Sequence, residues 1–261
     1  MRYLSSTSLA LIVLMALACT ATPTPTPTKS FDAIQTSWVA TRTASDVQKK
    51  VAATLNAPVL TTTYSAQEIA YFYEIVFGRE FLPRRASIIK WRSDVRIKVH
   101  GTPTDADLST LVQVVAELND LVTGVSLSMA GNNANVDIHF APETQFSEIK
   151  PNYTRMGDGL PHYGFGLIQW KKSSGISNAS ILISSDGITQ TERSHLIREE
   201  LTQILGLTGD SYLYPDSIFQ EGWTDTIEYA PIDRAIIRLL YEPILRHGMT
   251  QRRIEDILDA R

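Results

Sequence analysis

The sequence contains little cysteine, no surplus of positive charge and no long hydrophobic run. Cys19 is the only cysteine among the 261 residues, which excludes an internal disulfide and a zinc site built from several cysteines. Lys and Arg number 24 against 28 Asp and Glu, a formal net charge of -4, so we expect no nucleic-acid partner. The apolar run over residues 9–18 is shorter than the roughly 20 residues that a transmembrane helix needs.

The N-terminus has the pattern of a secretory signal. Arg2 precedes the apolar run, and small residues lead up to Cys19, which predicts a signal peptide over residues 1–18. The segment Ala16-Leu17-Ala18-Cys19 resembles a bacterial lipobox, which implies that Cys19 is lipidated. We therefore expect export across the cytoplasmic membrane and anchoring at the cell envelope as a lipoprotein. The alternative is a plain signal peptide in which the cysteine stands by chance.

A linker and a helical segment are predicted between the anchor and the main domain. Within residues 19–30, Thr and Pro alternate over 22–28, which is typical of an extended spacer. Residues 31–83 are interpreted as a helical stalk or N-terminal helical segment. The firmest helix there starts after Ser65 and ends at Gly78.

Residues 84–261 are predicted to form one α/β (α+β) domain. Apolar residues alternate with polar ones from Val95 to Val99, which indicates a half-buried strand. Thr104 and Asp107 form a capping-box signal for a covering helix. Further strands are predicted at 125–129, 136–140 and 181–184, a Gly/Pro-rich loop at 151–166, and a C-terminal amphipathic helix at 251–258. The domain is thus expected to be a mixed, twisted sheet with helices packed on it.

The segment 191–220 carries the functional argument, because it resembles the metzincin zinc peptidases. Their motif is His-Glu-x-x-His-x-x-Gly-x-x-His/Asp, followed by a turn that contains Met. In the first four motif positions this sequence has Glu199, Glu200, Gln203 and Gly206, and Gly209 with Asp210 falls at the third ligand. Residues 215–219 are similar to the Met-containing turn, with Phe219 in place of Met. Residues 231–241 resemble the closing helix of matrixin-like domains. The resemblance implies a zincin-like domain with an active-site-type helix and this further C-terminal helix.

A second, narrower resemblance is to uncharacterised bacterial lipoproteins that share a Glu-Glu-Leu-x-Gln core, here residues 199–203. It agrees with the lipobox at Cys19.

The departures from the metzincin motif decide the predicted function. Both histidine ligands are replaced, and a neutral amide such as that of Gln203 is a poor zinc ligand. We therefore predict a pseudo-peptidase, a non-catalytic binding or scaffolding module with no metal cofactor, for an unknown peptide or envelope ligand. The candidate binding residues are His195, Glu199, Gln203, Asp210 and Trp223.

Two alternatives remain open from the sequence. The first is an active metal-dependent hydrolase in which His195, Glu199 and Asp210 hold zinc and Glu200 acts as the general base. The second is a purely structural surface protein, which predicts that Phe219 and Trp223 fill the cleft.

Overall fold

The computed structural model describes most of the chain after residue 59. The described residues are 60, 62–78, 84–151, 153 and 162–259. The predicted signal peptide, the predicted lipidation site Cys19, the Thr-Pro linker and the first part of the predicted stalk lie outside them. Within these described ranges, no helix is both long enough and apolar enough to cross a membrane.

The described residues form five strands, six α-helices and one short 3-10 helix. In chain order they are α1 (Ala66–Phe77), β1 (Val95–Gly101), α2 (Asp105–Leu121), β2 (Leu127–Met129), β3 (Val136–Ala141), the 3-10 helix (Glu143–Gln145), α3 (Phe146–Ile149), β4 (Gly164–Lys171), β5 (Gly175–Ser184), α4 (Gln190–Gln203), α5 (Pro231–Leu240) and α6 (Gln251–Asp259). The predicted fold class, a mixed α/β domain with a covering helix and C-terminal helices, is confirmed.

The five strands make one sheet in the order β2-β1-β3-β5-β4. β1 pairs in parallel with β2 and β3, and β3 pairs in parallel with β5. β4 is antiparallel to β5 and forms an edge of the sheet. Parallel strands need covered faces, and α2 packs with α4 to cover one of them.

The edge strand β4 and the first half of β5 were not predicted from the sequence. The first residues of β4, 164–166, were predicted to belong to a loop, and β5 begins at Gly175 rather than at 181. β4 escaped prediction because it has glycine at positions 164 and 166 and is exposed over its last three residues, so it lacks an alternating apolar pattern.

Helix α1 begins as predicted after Ser65, whose hydroxyl accepts the backbone N–H of Glu68 while the Glu68 carboxylate accepts the N–H of Ser65. The helix precedes the predicted domain start at residue 84. It nevertheless packs against α5, and Tyr71, Phe72 and Ile75 are fully buried in the same core as the sheet.

Helix α4 is held firmly between α2 and the sheet. It begins at Gln190, with Thr189 and Glu192 forming its capping box. On its buried side, the side chain of Arg198 is 1% exposed and pairs with Glu117 of α2. Its guanidinium lies 4.5 Å from the ring centroid of Tyr229. These contacts fix the rotation of the helix, and with it the direction of the side chains on its other faces.

Candidate functional site

A cleft of about 590 Å³ opens beside α4, next to the start of β4 and the segment that follows the helix. All six predicted site residues line it: His195, Glu199, Glu200, Gln203, Asp210 and Trp223. The cleft is also lined by Glu74, Arg84, His162, Tyr163, Tyr212 and Glu221. Apart from Tyr212, which its position near Trp223 already suggested as a cleft residue, sequence reasoning missed them, because they come from separate segments and belong to no motif.

A chain of hydrogen bonds crosses the cleft along one face of α4. His195 Nε2 lies 3.1 Å from Glu199 Oε2. The amide of Gln203 donates to Glu199 Oε1 at 3.4 Å and to Asp210 Oδ1 at 3.0 Å. Residues four apart on a helix lie one turn from each other, which is why the sequence spacing correctly placed these three helical residues together.

The second ring nitrogen of His195 is also engaged. Its Nδ1 lies 2.7 Å from the carbonyl oxygen of Thr226, so both nitrogens face acceptors and the protonated ring satisfies both. Burial on its own lowers the pKa of His195. The hydrogen bond and charge of Glu199, with the Thr226 carbonyl and Asp225, outweigh burial, and the pKa is raised.

This ion pair predicts a pH-dependent contribution to stability. Because the pKa of His195 is higher in the folded than in the unfolded chain, its contribution is complete below the unfolded value of 6.5 and is lost as the pH rises through the folded pKa. We expect His195→Gln to lower the melting temperature more at pH about 5.5 than at pH about 8.5. Thermal unfolding of both proteins at the two pH values measures this difference.

Glu199→Gln provides the control, because it removes the charge that raises the pKa of His195. In this background we expect the effect of His195→Gln to depend less on pH. An equal loss at both pH values in the otherwise unchanged chain would contradict the ion pair.

Glu200 points away from this chain of bonds, toward β4. Adjacent helical residues diverge by about 100°, so Glu199 and Glu200 do not face each other as an acid–base pair. The Glu200 side chain is mostly buried. A Cβ at Gly164 would lie 2.8 Å from Glu200 Oε1, and one at Gly166 would lie 2.7 Å from Oε2. The two glycines of the edge strand therefore make room for the carboxylate.

The residues at the metzincin ligand positions, and His195 of the alternative ligand set, do not fit a zinc ion. Zinc needs lone pairs that converge on one point. Here Gln203 presents amide hydrogens to Glu199 and Asp210, and both nitrogens of His195 face oxygen acceptors. Within the described ranges, no group of three or more His, Cys, Asp or Glu side chains is arranged to hold a metal ion.

The rim of the cleft is aromatic and open. Tyr212 is 68% exposed and Trp223 is 62% exposed. The Trp223 indole donates to Glu192 Oε1 at 2.9 Å and meets the ring of Tyr163 edge to face at 5.9 Å. Phe219 is fully buried in the core. The expectation that Phe219 and Trp223 fill the cleft is therefore wrong.

One buried carboxylate shapes the segment that leads into this rim. Asp233, in the first turn of α5, accepts hydrogen bonds from Ser217 Oγ at 2.6 Å and from the backbone N–H groups of Ile218 and Ala230 at 3.0 and 2.9 Å. Burial raises the pKa of Asp233 to about 6, although these hydrogen bonds act to lower it. In the sequence, Pro231 followed two residues later by an acid is typical of a helix start. The hydrogen bonds of Asp233 to Ser217 and Ile218 were not predictable from it.

Comparison with known proteins gives one family and distant structural similarities. Two solved structures of myroilysin are similar to this chain, both with a TM-score of 0.37. One is 12% identical and covers 59% of this chain and 82% of its own; the other is 11% identical and covers 71% and 99%. No curated protein sequence matches. The model of DUF2927, described as a protein of unknown function, matches residues 65–260. That match spans most of the chain, which therefore belongs to the DUF2927 family.

Proposed function

We propose that this protein is a lipid-anchored, extracytoplasmic binding module whose cleft holds an extended, positively charged peptide without hydrolysing it. The observation that carries the proposal is the hydrogen-bond chain His195–Glu199–Gln203–Asp210. It engages, within the protein, the groups that a metallopeptidase of the metzincin type would turn toward zinc. The scaffold of a peptidase cleft would then serve recognition alone.

The charge of the cleft supports a cationic ligand. Five carboxylates line it, from Glu74, Glu199, Glu200, Asp210 and Glu221, while Arg84 and the protonated His195 supply positive charge. A Lys or Arg side chain of the ligand would be attracted by this excess of negative charge. The exposed rings of Tyr212 and Trp223 could also bind such a cation over their faces.

The position of β4 supports an extended peptide. It is an edge strand, and its first residue, Gly164, lines the cleft beside Glu200. An edge strand presents backbone N–H and C=O groups to which an extended chain can pair. Backbone pairing would give affinity with little dependence on sequence, and the acidic and aromatic residues would select for positive charge.

The proposed location rests on the N-terminal sequence. A lipidated Cys19 followed by a Thr-Pro spacer would hold the domain away from a membrane surface. The ligand would accordingly be a peptide segment of the cell envelope.

The test combines binding and cleavage on the mature chain from Cys19. We expect a Lys-Ala repeat peptide to bind and to remain intact by mass spectrometry, with and without added zinc, and a Glu-Ala repeat of equal length to bind at least about tenfold more weakly. The double variant Glu199→Gln/Asp210→Asn should weaken binding of the Lys-Ala peptide by about tenfold, because it removes two charges. Glu228→Gln changes an exposed carboxylate that is not a cleft residue, and should leave binding unchanged.

Two results would contradict the proposal. Equal affinity for the Lys-Ala and Glu-Ala peptides would refute the charge argument. Stoichiometric zinc in the purified protein that is lost in Glu199→Ala, together with peptide cleavage that Glu200→Gln abolishes, would establish the hydrolase instead.

A further inference from the structure

A second pocket of about 420 Å³ lies at the other end of the sheet from the cleft. It is formed by residues 90–92 before β1, by 123–125 after α2, and by Tyr241, Pro243 and 245–247 after α5. Trp91 is bridged to Ile176 at the start of β5, whereas Gly164 of the cleft pairs with Ile183 near its end. A strand rises about 3.3 Å per residue, so the length of β5 separates the two sites.

The charge of this pocket is opposite to that of the cleft. Lys90, Arg92, Arg246 and His247 line it, and no Asp or Glu is among the described residues that do. The whole chain has a net charge of -4. A concentration of cationic groups in one concave site is thus a local feature, and such a site raises the local concentration of anions.

Lys90 is the buried one among these cationic residues. It is 9% exposed, and its ammonium donates to the carbonyl oxygens of Leu240 at 2.7 Å and of Leu245 at 2.8 Å. The ammonium also lies 4.9 Å from the ring centroid of Tyr241. Burial lowers the pKa of Lys90 to about 7, and the charge of Glu242 offsets part of this effect. An anion in the pocket would further favour the charged lysine.

His247 forms another part of the pocket wall. Its Nε2 lies 3.1 Å from the carbonyl oxygens of both Lys171 and Lys172, so this nitrogen carries a proton. Its Nδ1 is buried and has no hydrogen-bond partner in the described part of the chain. Because Nε2 carries the proton, Nδ1 has a lone pair and no hydrogen to donate, so an anionic group is expected to face Lys90 rather than this nitrogen.

The remaining walls are apolar. Trp91, Val125, Pro243 and Leu245 line the pocket, and three of them are buried. An apolar wall beside cationic donors is suited to a ligand with an anionic head and an apolar body, because small-molecule sites combine apolar area with a few placed polar groups.

We propose that this pocket binds a small organic anion, with its phosphate or carboxylate head toward Lys90 and a ring or short alkyl body against Trp91, Val125 and Leu245. The site is independent of the function proposed for the cleft. Arg92 and Arg246 are exposed at its edge and add attraction from outside.

Titration of the ¹⁵N-labelled mature chain with phenyl phosphate tests this proposal. We expect saturable shifts of the amide signals of Gly124 and His247. Benzylamine, with the same ring and a positive head, should give no saturable shift there. Inorganic phosphate, which lacks the body, should bind at least about fivefold more weakly. Equal binding of benzylamine, or no saturation by phenyl phosphate, would overturn the proposal.

Charge reversal at the edge provides variants that should fold. Arg92→Glu/Arg246→Glu is expected to raise the dissociation constant for phenyl phosphate by about tenfold or more. Arg253→Glu is the matched control, because this 65%-exposed arginine lies on α6 and does not line the pocket. Lys90→Met should abolish binding if the chain folds. Unchanged affinity in the double variant would refute the cationic site, whatever the peptide experiments on the cleft show.

Discussion

Gly206→Ala is expected to destabilise the protein by about 3 to 5 kcal/mol, because it combines backbone strain with a clash. Gly206 has φ 113°, a conformation that residues with a side chain rarely adopt. A Cβ there would lie 2.1 Å from the carbonyl oxygen of Ile89 and 3.4 Å from Leu240 Cδ2. The first of these atoms is backbone, which cannot move aside as a side chain can.

Gly124→Ala separates the cost of backbone strain from the cost of the clash. Gly124 also has a positive φ, 86°, but a Cβ there would meet nothing within 4 Å. We expect it to cost about 1 kcal/mol from backbone strain alone. Urea unfolding of both variants, compared at equal m-value, gives the difference. Similar losses in the two would show that the close approach of Gly206 to Ile89 adds nothing.

Gly206 also affects the cleft, because the turn in which it lies positions Asp210 next to Gln203. Helix α4 ends at Gln203, and the turn through Gly206 brings the chain back so that Asp210 accepts a hydrogen bond from Gln203 at 3.0 Å. A displaced turn would separate these two residues. In any fraction of Gly206→Ala that folds, affinity for the Lys-Ala peptide should therefore fall as well.

The helices were predictable because their ends carry strong local signals. Ser65 and Thr104 each cap a helix by reciprocal hydrogen bonds with the residue three positions on, and these contacts depend only on nearby sequence. The stripe of apolar residues between the caps then determines the buried face. Local rules were enough here, and both helices start where the sequence places them.

The edge strand was not predictable for the opposite reason. Gly164 and Gly166 disfavour a strand locally, and β4 forms because it pairs with β5. The structure gives the reason for the two glycines, because the Glu200 carboxylate packs against them where a Cβ would stand. That contact joins residues 34 or more positions apart, so no local pattern reports it.

In the candidate site, too, the contacts within one helix were predictable and the long-range contacts were not. Helical spacing predicted that His195, Glu199 and Gln203 share a face, and the hydrogen bonds among them confirm it. The spacing could not show that the Thr226 carbonyl holds the other ring nitrogen of His195. The Thr226 carbonyl matters most for the chemistry, because it and Glu199 together engage both ring nitrogens of His195.

Asp233→Ala is the second substitution with a large expected effect, about 3 to 5 kcal/mol of destabilisation. It leaves the N–H groups of Ile218 and Ala230 without their buried acceptor, and each unsatisfied buried donor costs about 1 to 3 kcal/mol. The Ser217 hydroxyl also loses this acceptor, but it can donate to the Tyr71 hydroxyl, 2.8 Å away. Asp216→Ala removes a carboxylate from an exposed position of the same segment, and should stay within about 0.5 kcal/mol of the unchanged chain. Chemical denaturation of the two variants measures the contrast.

Asp233→Asn isolates the effect of the carboxylate's charge. The pKa of Asp233 is about 6 in the folded protein against 3.8 as its ordinary value, so the folded state binds the proton more tightly. The contribution of this group to the free energy of unfolding should therefore fall as the pH rises from about 4 to above 6. Asp233→Asn does not titrate and should lack that part of the pH dependence, although it loses an acceptor and is less stable. If both proteins changed in parallel over this range, the stability of the segment would depend on the hydrogen bonds of Asp233 and not on the protonation of its buried carboxylate.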